Sequence, residues 1–497
     1  MLPCTAVIDI GSNSARLVIY QESSQYGFHL ICERKSKVRI GEGAYQAYGY
    51  LQPIGIHRAY SALKEFITTA QHYPISNIIC VATSALRDAP NGKDFTQWIQ
   101  KELGLKIEII DGKQEALYGA IAAKNLLPIQ NGITIDIGGG SSDLALIKNS
   151  KIIDTYTLNL GTVRLKELFF DTNNSIEKAR DFIQHELKNL PSHFKSKQAI
   201  GIGGTARTLS KGIMKKIKYP LDNIHAFSYS IKEHKEYFNN ISQASSSFLP
   251  YLYLSKGRFD TIREGTLIWE NILKKINAKK VITSGVGVRE GVFLHHFLQK
   301  NNLSFPETIN PSMESILDRF STNYIKTKER QINTIKLFEL FVNKKDLNKK
   351  YQKELLYAIQ LSPIGYRFNI YQSFQHSFYV TMREFNYAIS HKELLLIAMI
   401  LRFGGEELYK KEIYSQYKSL LPKKKTFSYL SFIYTIITTL YDQSAIKDFN
   451  FTLENDCLTI IAEGSLYLAE EQLQKIERPK ALILKIIDKK EIPSYNF

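Results

Sequence analysis

Ile8-Asp9-Ile10-Gly11-Ser12-Asn13-Ser14 and Ile135-Asp136-Ile137-Gly138-Gly139-Gly140-Ser141-Ser142-Asp143 are two versions of one design. In each, an apolar run of β-forming residues (Ala6 to Ile10; Ile133 to Ile137) carries an aspartate to a turn of glycine and hydroxyl residues. A second apolar run follows (Leu17 to Tyr20; Leu144 to Ile147). The pattern predicts a strand, a tight turn and a returning strand, twice. Glycine lets the backbone approach an anion, successive N–H groups and Ser or Asn side chains supply donors, and the aspartate can hold a divalent cation or a water. Two such hairpins facing each other would clamp a phosphate chain from both sides.

The two aspartates are 127 residues apart, a domain-sized internal duplication. Residues 1–125 read as a meander (Ala6–Ile10, Arg16–Tyr20, Phe28–Cys32, Lys37–Ile40), a helix (Ile54–Ala70) and strands at Asn77–Ala82 and Lys106–Ile110. Residues 126–305 repeat that plan, with strands at Ile133–Ile137, Asp143–Ile147 and Ile152–Leu158 and helices from Thr162 and Ile176. Two α/β domains with a cleft between them follow. From 306 to 446 the spacing turns helical, with candidates at Ile316–Phe341, Lys353–Gln360, Glu393–Leu401 and Phe427–Tyr441. Residues 447–497 read as a small ββαβ domain: strands Phe449–Leu453 and Cys457–Ala462, helix Leu466–Ile476, strand Ala481–Ile487.

At 497 residues the chain is too long for one core. Hydrophobic residues make up 44% and charged residues 23%, ordinary for soluble proteins, and no run approaches the roughly 18–20 apolar residues of a membrane span. The opening Met1-Leu2-Pro3-Cys4 lacks a basic segment before its apolar run, so no secretory signal is expected and the expected location is cytoplasmic. Cys4, Cys32, Cys80 and Cys457 lack paired-ligand spacing and read as buried free thiols, and the 11 histidines form no zinc signature. A net charge of +17 draws polyanions; nucleic acid, nucleotide and polyphosphate all fit that field.

Further anion cradles are expected in the second half. Gly201-Ile202-Gly203-Gly204-Thr205-Ala206-Arg207 follows an apolar strand and opens a helix, placing its N–H groups at the positive end of the helix dipole. Leu160-Gly161-Thr162 and Ser284-Gly285-Val286-Gly287 end two more strands, and glycine turns at strand ends share one crevice. In the first half, Arg87 lies in the first helical turn after a strand, where a guanidinium can reach a bound phosphate. Glu115, in Asp111-Gly112-Lys113-Gln114-Glu115, starts a helix at the same end of the sheet and is the candidate base for water.

The ordered set Asp9-Ile-Gly-Ser-Asn-Ser, Ala82-Thr-Ser-Ala-Leu-Arg87, Gly112-Lys-Gln-Glu115-Ala, Asp136-Ile-Gly-Gly-Gly-Ser-Ser-Asp143, Leu160-Gly-Thr-Val-Arg-Leu, Gly203-Gly-Thr-Ala-Arg207 and Gly287-Val-Arg-Glu-Gly291 resembles the exopolyphosphatase and guanosine pentaphosphate phosphohydrolase family, part of the sugar kinase, heat-shock 70 and actin superfamily. The resemblance spans residues 1 to about 300. It implies two ribonuclease-H-like domains and Mg²⁺-dependent hydrolysis of a terminal phosphoanhydride. By the same resemblance, Glu115 and Arg87 are catalytic, and Asp136 and Asp143 lie near the metal. Ser12, Asn13, Ser14, Gly138, Gly139, Gly140, Ser141, Gly203, Gly204 and Thr205 bind phosphate. Two positions depart from the family pattern: Gln114-Glu115 where two glutamates are common, and Ser142-Asp143 where Thr-Glu is common.

Longer members add a helical domain resembling the histidine-aspartate phosphohydrolases. Here Ser362-Pro363 stands where the His-Asp pair would be and His376 resembles the following histidine motif, so this domain is expected to lack metal and catalysis. The implied partners are polyphosphate, guanosine pentaphosphate (pppGpp) or both, with no nucleic acid or membrane, and a homodimer by family analogy. The expected reaction is in-line attack of a Glu115-activated water on the terminal phosphorus. Two alternatives are a superfamily kinase, which would require an acceptor molecule, and a polyphosphate- or alarmone-binding regulator, which would release no phosphate.

Overall fold

The computed structural model describes residues 2–44, 47–171, 175–320, 327–404, 410–445 and 448–488. The chain forms two compact units, Met1–Ser315 with Tyr387–Ile389, and Ile316–Asn386 with Ser390–Phe497.

The first unit holds two sheets. In one, β1 (Cys4–Ile10), β2 (Ala15–Glu22), β3 (Phe28–Ser36), β4 (Ile75–Ala82) and β5 (Ile107–Ile109) stand in the order β3-β2-β1-β4-β5. The hairpin strands β1, β2 and β3 pair antiparallel, while β4 lies parallel to β1 and β5 parallel to β4. The other sheet contains β6 (Gly132–Ile137), β7 (Ser142–Lys148), β8 (Lys151–Leu158), β9 (Gln198–Ile202), β10 (Ser228–Ser230) and β11 (Lys280–Thr283), in the order β10-β11-β9-β6-β7-β8. Its β6-β7-β8 meander is again antiparallel, with β9 and β11 parallel to it and β10 a short antiparallel edge. Except for that edge, the two sheets share one strand order, the ribonuclease-H-like arrangement that the family resemblance implies.

The duplication places the aspartates by burial. The central strands β1 and β6 are buried along their whole length except at one residue each, Asp9 and Asp136. Apolar neighbours such as Ile8, Ile10, Ile133 and Ile135 supply the cores on either side, so each strand delivers one carboxylate to the open end of its sheet. Cys4, Cys32 and Cys80 are buried, and all four cysteines are free thiols.

One expected strand is absent. The chain over Lys37–Ile40 leaves the sheet after β3, which runs unbroken from Phe28 to Ser36. Val38 and Ile40 are fully buried, which gives the segment its strand-like alternation. Its backbone, however, bonds to the first phosphate-type turn: Arg39 N donates to Asn13 O at 3.0 Å and Gly41 N to Ser12 O at 3.2 Å. The segment is a buttress, and sequence alternation alone does not separate the two roles.

In the second unit, the expected helix over Ile316–Phe341 corresponds to helices Pro311–Phe320 and Thr327–Lys345, with residues 321–326 outside the described residues. Helices Gln352–Leu361, His391–Arg402 and Lys424–Gln443 contain the other three candidates. Ser373–Glu384 is a further helix; its buried positions are Ser377, Val380 and Thr381, mostly polar, so its apolar periodicity is weak. The last sheet has the order β12-β13-β14, built from β12 (Asn450–Glu454), β13 (Cys457–Ala462) and β14 (Ile483–Asp488). Helix Tyr467–Lys475 connects the parallel strands β13 and β14, completing a ββαβ unit; position 447, where its start was expected, is outside the described residues. Among the described residues, no helix is long and apolar enough to cross a membrane.

Candidate active site

Both hairpin turns close in the same way. Gly11 N donates to Ser14 O at 3.1 Å, and Gly138 N donates to Ser141 O at 2.9 Å. The turns meet face to face: a Cβ on Gly139 would stand 3.0 Å from Ser12 Cβ, close enough that Ser12 would have to give way by a few tenths of an ångström. Ser12 Oγ also shares a 3.1 Å hydrogen bond with Ser84 Oγ. The carbonyls of the second turn are held from behind by the Gly161 turn, with Thr162 N on Gly138 O, Val163 N on Gly139 O and Arg164 Nε on Gly140 O, each at 2.9 Å.

Between the hairpins lies a cleft of about 480 Å³. Ser12, Asn13, Ser14, Gly138, Gly139, Gly203, Gly204, Thr205, Asp136 and Glu115 all line it, so ten of the residues read from the sequence converge there. Gly140, Ser141, Asp143 and Arg87 are not on its wall. Ser141 and Asp143 are buried. Gly203 has φ +73°, and any Cβ there would run into Asp136 Oδ1; a backbone only glycine adopts readily therefore seats the carboxylate against the start of helix Gly203–Lys216.

The wall also carries cations that sequence reasoning did not assign to the site: Arg16, Lys35, Lys37, Arg207, Lys211, Lys215, Arg258 and Arg289. Arg207 and Arg289 sit inside motifs already quoted. The others come from ordinary amphipathic stretches, and two signals were available. Lys35 and Lys37 are two apart on an extended segment, and Lys211 and Lys215 are one turn apart on a helix. Across the sheet Arg16 pairs directly with Lys35, a like-charge register that costs stability unless something anionic offsets it. Burial pushes the Lys35 ammonium below its ordinary value, and Arg16, Arg258, Lys37 and Arg289 push it further.

Glu115 is placed by a capping box at the start of helix Gly112–Leu126. Gln114 N donates to Asp111 Oδ1 at 2.7 Å, and Asp111 N donates to Gln114 Oε1 at 3.0 Å. Gln114, one of the departures from the family pattern, thus performs the capping task that a glutamate could also perform. Arg87 Nη1 reaches Glu115 Oε2 at 3.4 Å and the Ile110 carbonyl at 3.3 Å. Burial first, and then the negative charges of Asp143, Asp136 and Asp9, hold the Glu115 carboxyl well above the ordinary range, with Arg87 acting in opposition. Burial likewise pushes Asp136 up to about 6, against the pull of Arg207.

Asp143 accepts from Thr157 Oγ1 at 2.8 Å and from Ser141 Oγ at 3.3 Å, so both its oxygens are already engaged. Burial pushes it up to about 7, with the Thr157 hydrogen bond pulling the other way. Among the described residues, no three His, Cys, Asp or Glu side chains gather closely enough to hold a metal by themselves. Asp9 and Asp136 both face the cleft. A pair of carboxylates beside a phosphate cradle fits Mg²⁺, which keeps several waters and shares its remaining positions with substrate phosphates.

A second buried network fixes the arginines. Arg207 donates through Nε to Ser284 O at 3.0 Å and through Nη2 to Val286 O at 3.1 Å. Glu290 accepts from Gly287 N at 2.6 Å and from the Tyr20 hydroxyl at 3.0 Å. Burial works to raise the Glu290 carboxyl, yet Arg289, Arg207 and the Gly287 N–H outweigh it and keep the group below its ordinary value.

The chain is similar to known proteins in the same regions. It is 27% identical over 482 residues to a guanosine-5'-triphosphate,3'-diphosphate pyrophosphatase of Pseudoalteromonas translucida, covering 92% of each chain. It is 31% identical over 300 residues to a bifunctional 3-dehydroquinate synthase/phosphatase of Fusobacterium nucleatum; the match takes in 56% of this chain and only 44% of that protein. The crystal structure of the Aquifex aeolicus member of the Ppx/GppA family superposes with a TM-score of 0.52 at 28% identity, covering 61% of this chain and 99% of that one. An exopolyphosphatase from Cytophaga hutchinsonii shares the fold with a TM-score of 0.55 at 21% identity, over 61% of this chain and 100% of that one. The family model for Ppx/GppA phosphatases matches residues 18–300, which take in β3 to β11 and most of the cleft wall but begin after β1 and the Gly11–Ser14 turn, and the chain belongs to the Ppx/GppA phosphatase family.

Proposed function

We propose that this phosphatase hydrolyses the terminal phosphoanhydride of inorganic polyphosphate or of guanosine pentaphosphate. One observation carries the reading: a mostly buried glutamate of raised proton affinity, Glu115, lines a cleft of about 480 Å³ whose other walls are N–H groups, hydroxyls and guanidiniums. A base of raised proton affinity accepts a proton more readily than an exposed carboxylate. Glu115 takes a proton from a water as its oxygen bonds to the terminal phosphorus. The bond from phosphorus to the bridging oxygen breaks, orthophosphate leaves, and the shortened chain keeps the bridging oxygen.

The turns over Gly11–Ser14 and Gly138–Gly139, with Gly204, Thr205 and Arg207, hold the phosphate oxygens and take up charge as it shifts toward the leaving chain. Asp136 and Asp9 are the residues that would hold Mg²⁺, which neutralises phosphate charge when bound. Asp143, each of whose oxygens accepts one hydroxyl hydrogen bond and keeps a further lone pair, would support the metal or one of its waters from behind. The pyrophosphatase name of the Pseudoalteromonas relative brings guanosine pentaphosphate into the reading, and the self-repelling cluster of Arg16, Lys35, Lys37 and Arg258 suits either polyanion.

The helical part of the second unit fits a domain of the histidine-aspartate phosphohydrolase type that has lost its metal ligands. Ser362 Oγ is bonded to the Ile359 carbonyl at 2.9 Å and receives Arg330 Nη1 at 3.4 Å. The test of the catalytic assignment is phosphate release with Mg²⁺ from both substrates. Glu115→Gln should lower kcat by about 10³-fold, within the range for loss of a general base, while KM stays within about threefold. Near-normal turnover of that variant would overturn the role given to Glu115.

A further inference from the structure

Tyr253 is half-exposed on the cleft wall, with Lys211, Lys215 and Arg258 among the residues lining the same cleft. Its backbone is left-handed, φ 59° and ψ 21°, a conformation that bulky residues avoid. The structure around it enforces that conformation. A 3-10 turn over Leu249–Leu252 leads into it, and the hydroxyl of the buried Tyr237 donates to the Leu252 carbonyl at 2.7 Å. An aromatic ring kept at the rim of a cationic cleft, at the expense of backbone comfort, is suited to a ligand with a flat face.

We propose that Tyr253 is a stacking platform for the base of a nucleoside polyphosphate, and so a specificity-determining residue that favours guanosine pentaphosphate over inorganic polyphosphate. The proposal rests on the phosphohydrolase reading above, since it takes the phosphates to lie in the cleft. With the phosphates among the arginines and N–H groups, a base at the other end of the ligand meets the tyrosine ring. Stacking on an aromatic side chain tolerates any base, while an inorganic chain has no π-face to offer. The ring therefore separates the two substrates, whereas the cations serve both.

The test uses the full-length chain with Mg²⁺ and two probes, guanosine pentaphosphate and inorganic tripolyphosphate. Binding is read by calorimetry in the Glu115→Gln background, and KM is read in the otherwise unaltered chain. Tyr253→Asn removes the ring with a residue that accepts the left-handed backbone, so loss of folding does not mask the answer. It should weaken guanosine pentaphosphate binding about tenfold and leave tripolyphosphate within twofold, and Tyr253→Phe should behave as the parent. Equal weakening of both probes, or of neither, would overturn the proposal. A wild-type chain that releases no phosphate would overturn the hydrolase reading instead, and the ratio of the two calorimetric affinities would still decide the role of Tyr253.

Discussion

The two hairpins start from one design and differ in what they offer a phosphate. The first places Ser12, Asn13 and Ser14 on the cleft wall, and its carbonyls are supported by Arg39 and Gly41. The second puts only glycines there, Gly138 and Gly139, and turns its serine inward, where Ser141 Oγ donates to Asp143. Side-chain donors thus come from one hairpin and bare backbone from the other. The difference has a steric side: the turns approach until Gly139 is against Ser12, and a side chain at both positions would crowd the contact.

After the loss of the base itself, the largest expected effect separates the aspartates. Asp136→Asn should lower kcat by about 10²-fold or more, because the side chain is seated against Gly203 beside the phosphate cradle, and Asp9→Asn should cost less. Equal losses in phosphate-release assays would mean that the two hairpins share the catalytic charge evenly. The next effect lies in the pH profile. Arg87 lowers the proton affinity of Glu115 and Asp143 raises it. The rate rises with pH as Glu115 ionises, so Arg87→Met should move the acid limb of kcat/KM to higher pH and Asp143→Asn should move it lower. Shifts in the same direction would remove Glu115 from the titration. The smallest effect contrasts the serines. Ser12→Ala should raise KM by about three- to tenfold, the worth of a hydrogen bond to a charged group, whereas Ser141→Ala should change KM by about twofold or less.

Much of this was legible because hairpins announce themselves twice over, through alternating apolar runs and through glycine punctuation. Asp9, Asp136, Gly203 and Glu115 all stand at strand or helix ends that such punctuation marks. Lys35, Lys211 and Arg258 were not legible as a group, since they come from a strand, a helix and a 3-10 turn and meet only after the sheets are formed. Lys37–Ile40 misled for the opposite reason: Val38 and Ile40 alternate like a strand because both are buried, yet the N–H groups of Arg39 and Gly41 beside them support a turn. Arg87 and Ser141 show a third limit. Sequence placed them in the correct neighbourhood, and only coordinates distinguish a residue on the wall from one behind it.

Asp88 joins the halves of the first unit. It accepts from Arg87 Nε at 3.3 Å and from Arg164 Nη2 at 3.5 Å, while Arg87 reaches Glu115 and Arg164 reaches the Gly140 carbonyl. The base of one half is therefore strung to the glycine turn of the other by three ion pairs and a hydrogen bond to the Gly140 carbonyl. The longest link, Arg164 to Asp88 at 3.5 Å, is the one that crosses between the halves, so along this line a change at the glycine turn reaches the base through three intervening side chains, Arg164, Asp88 and Arg87.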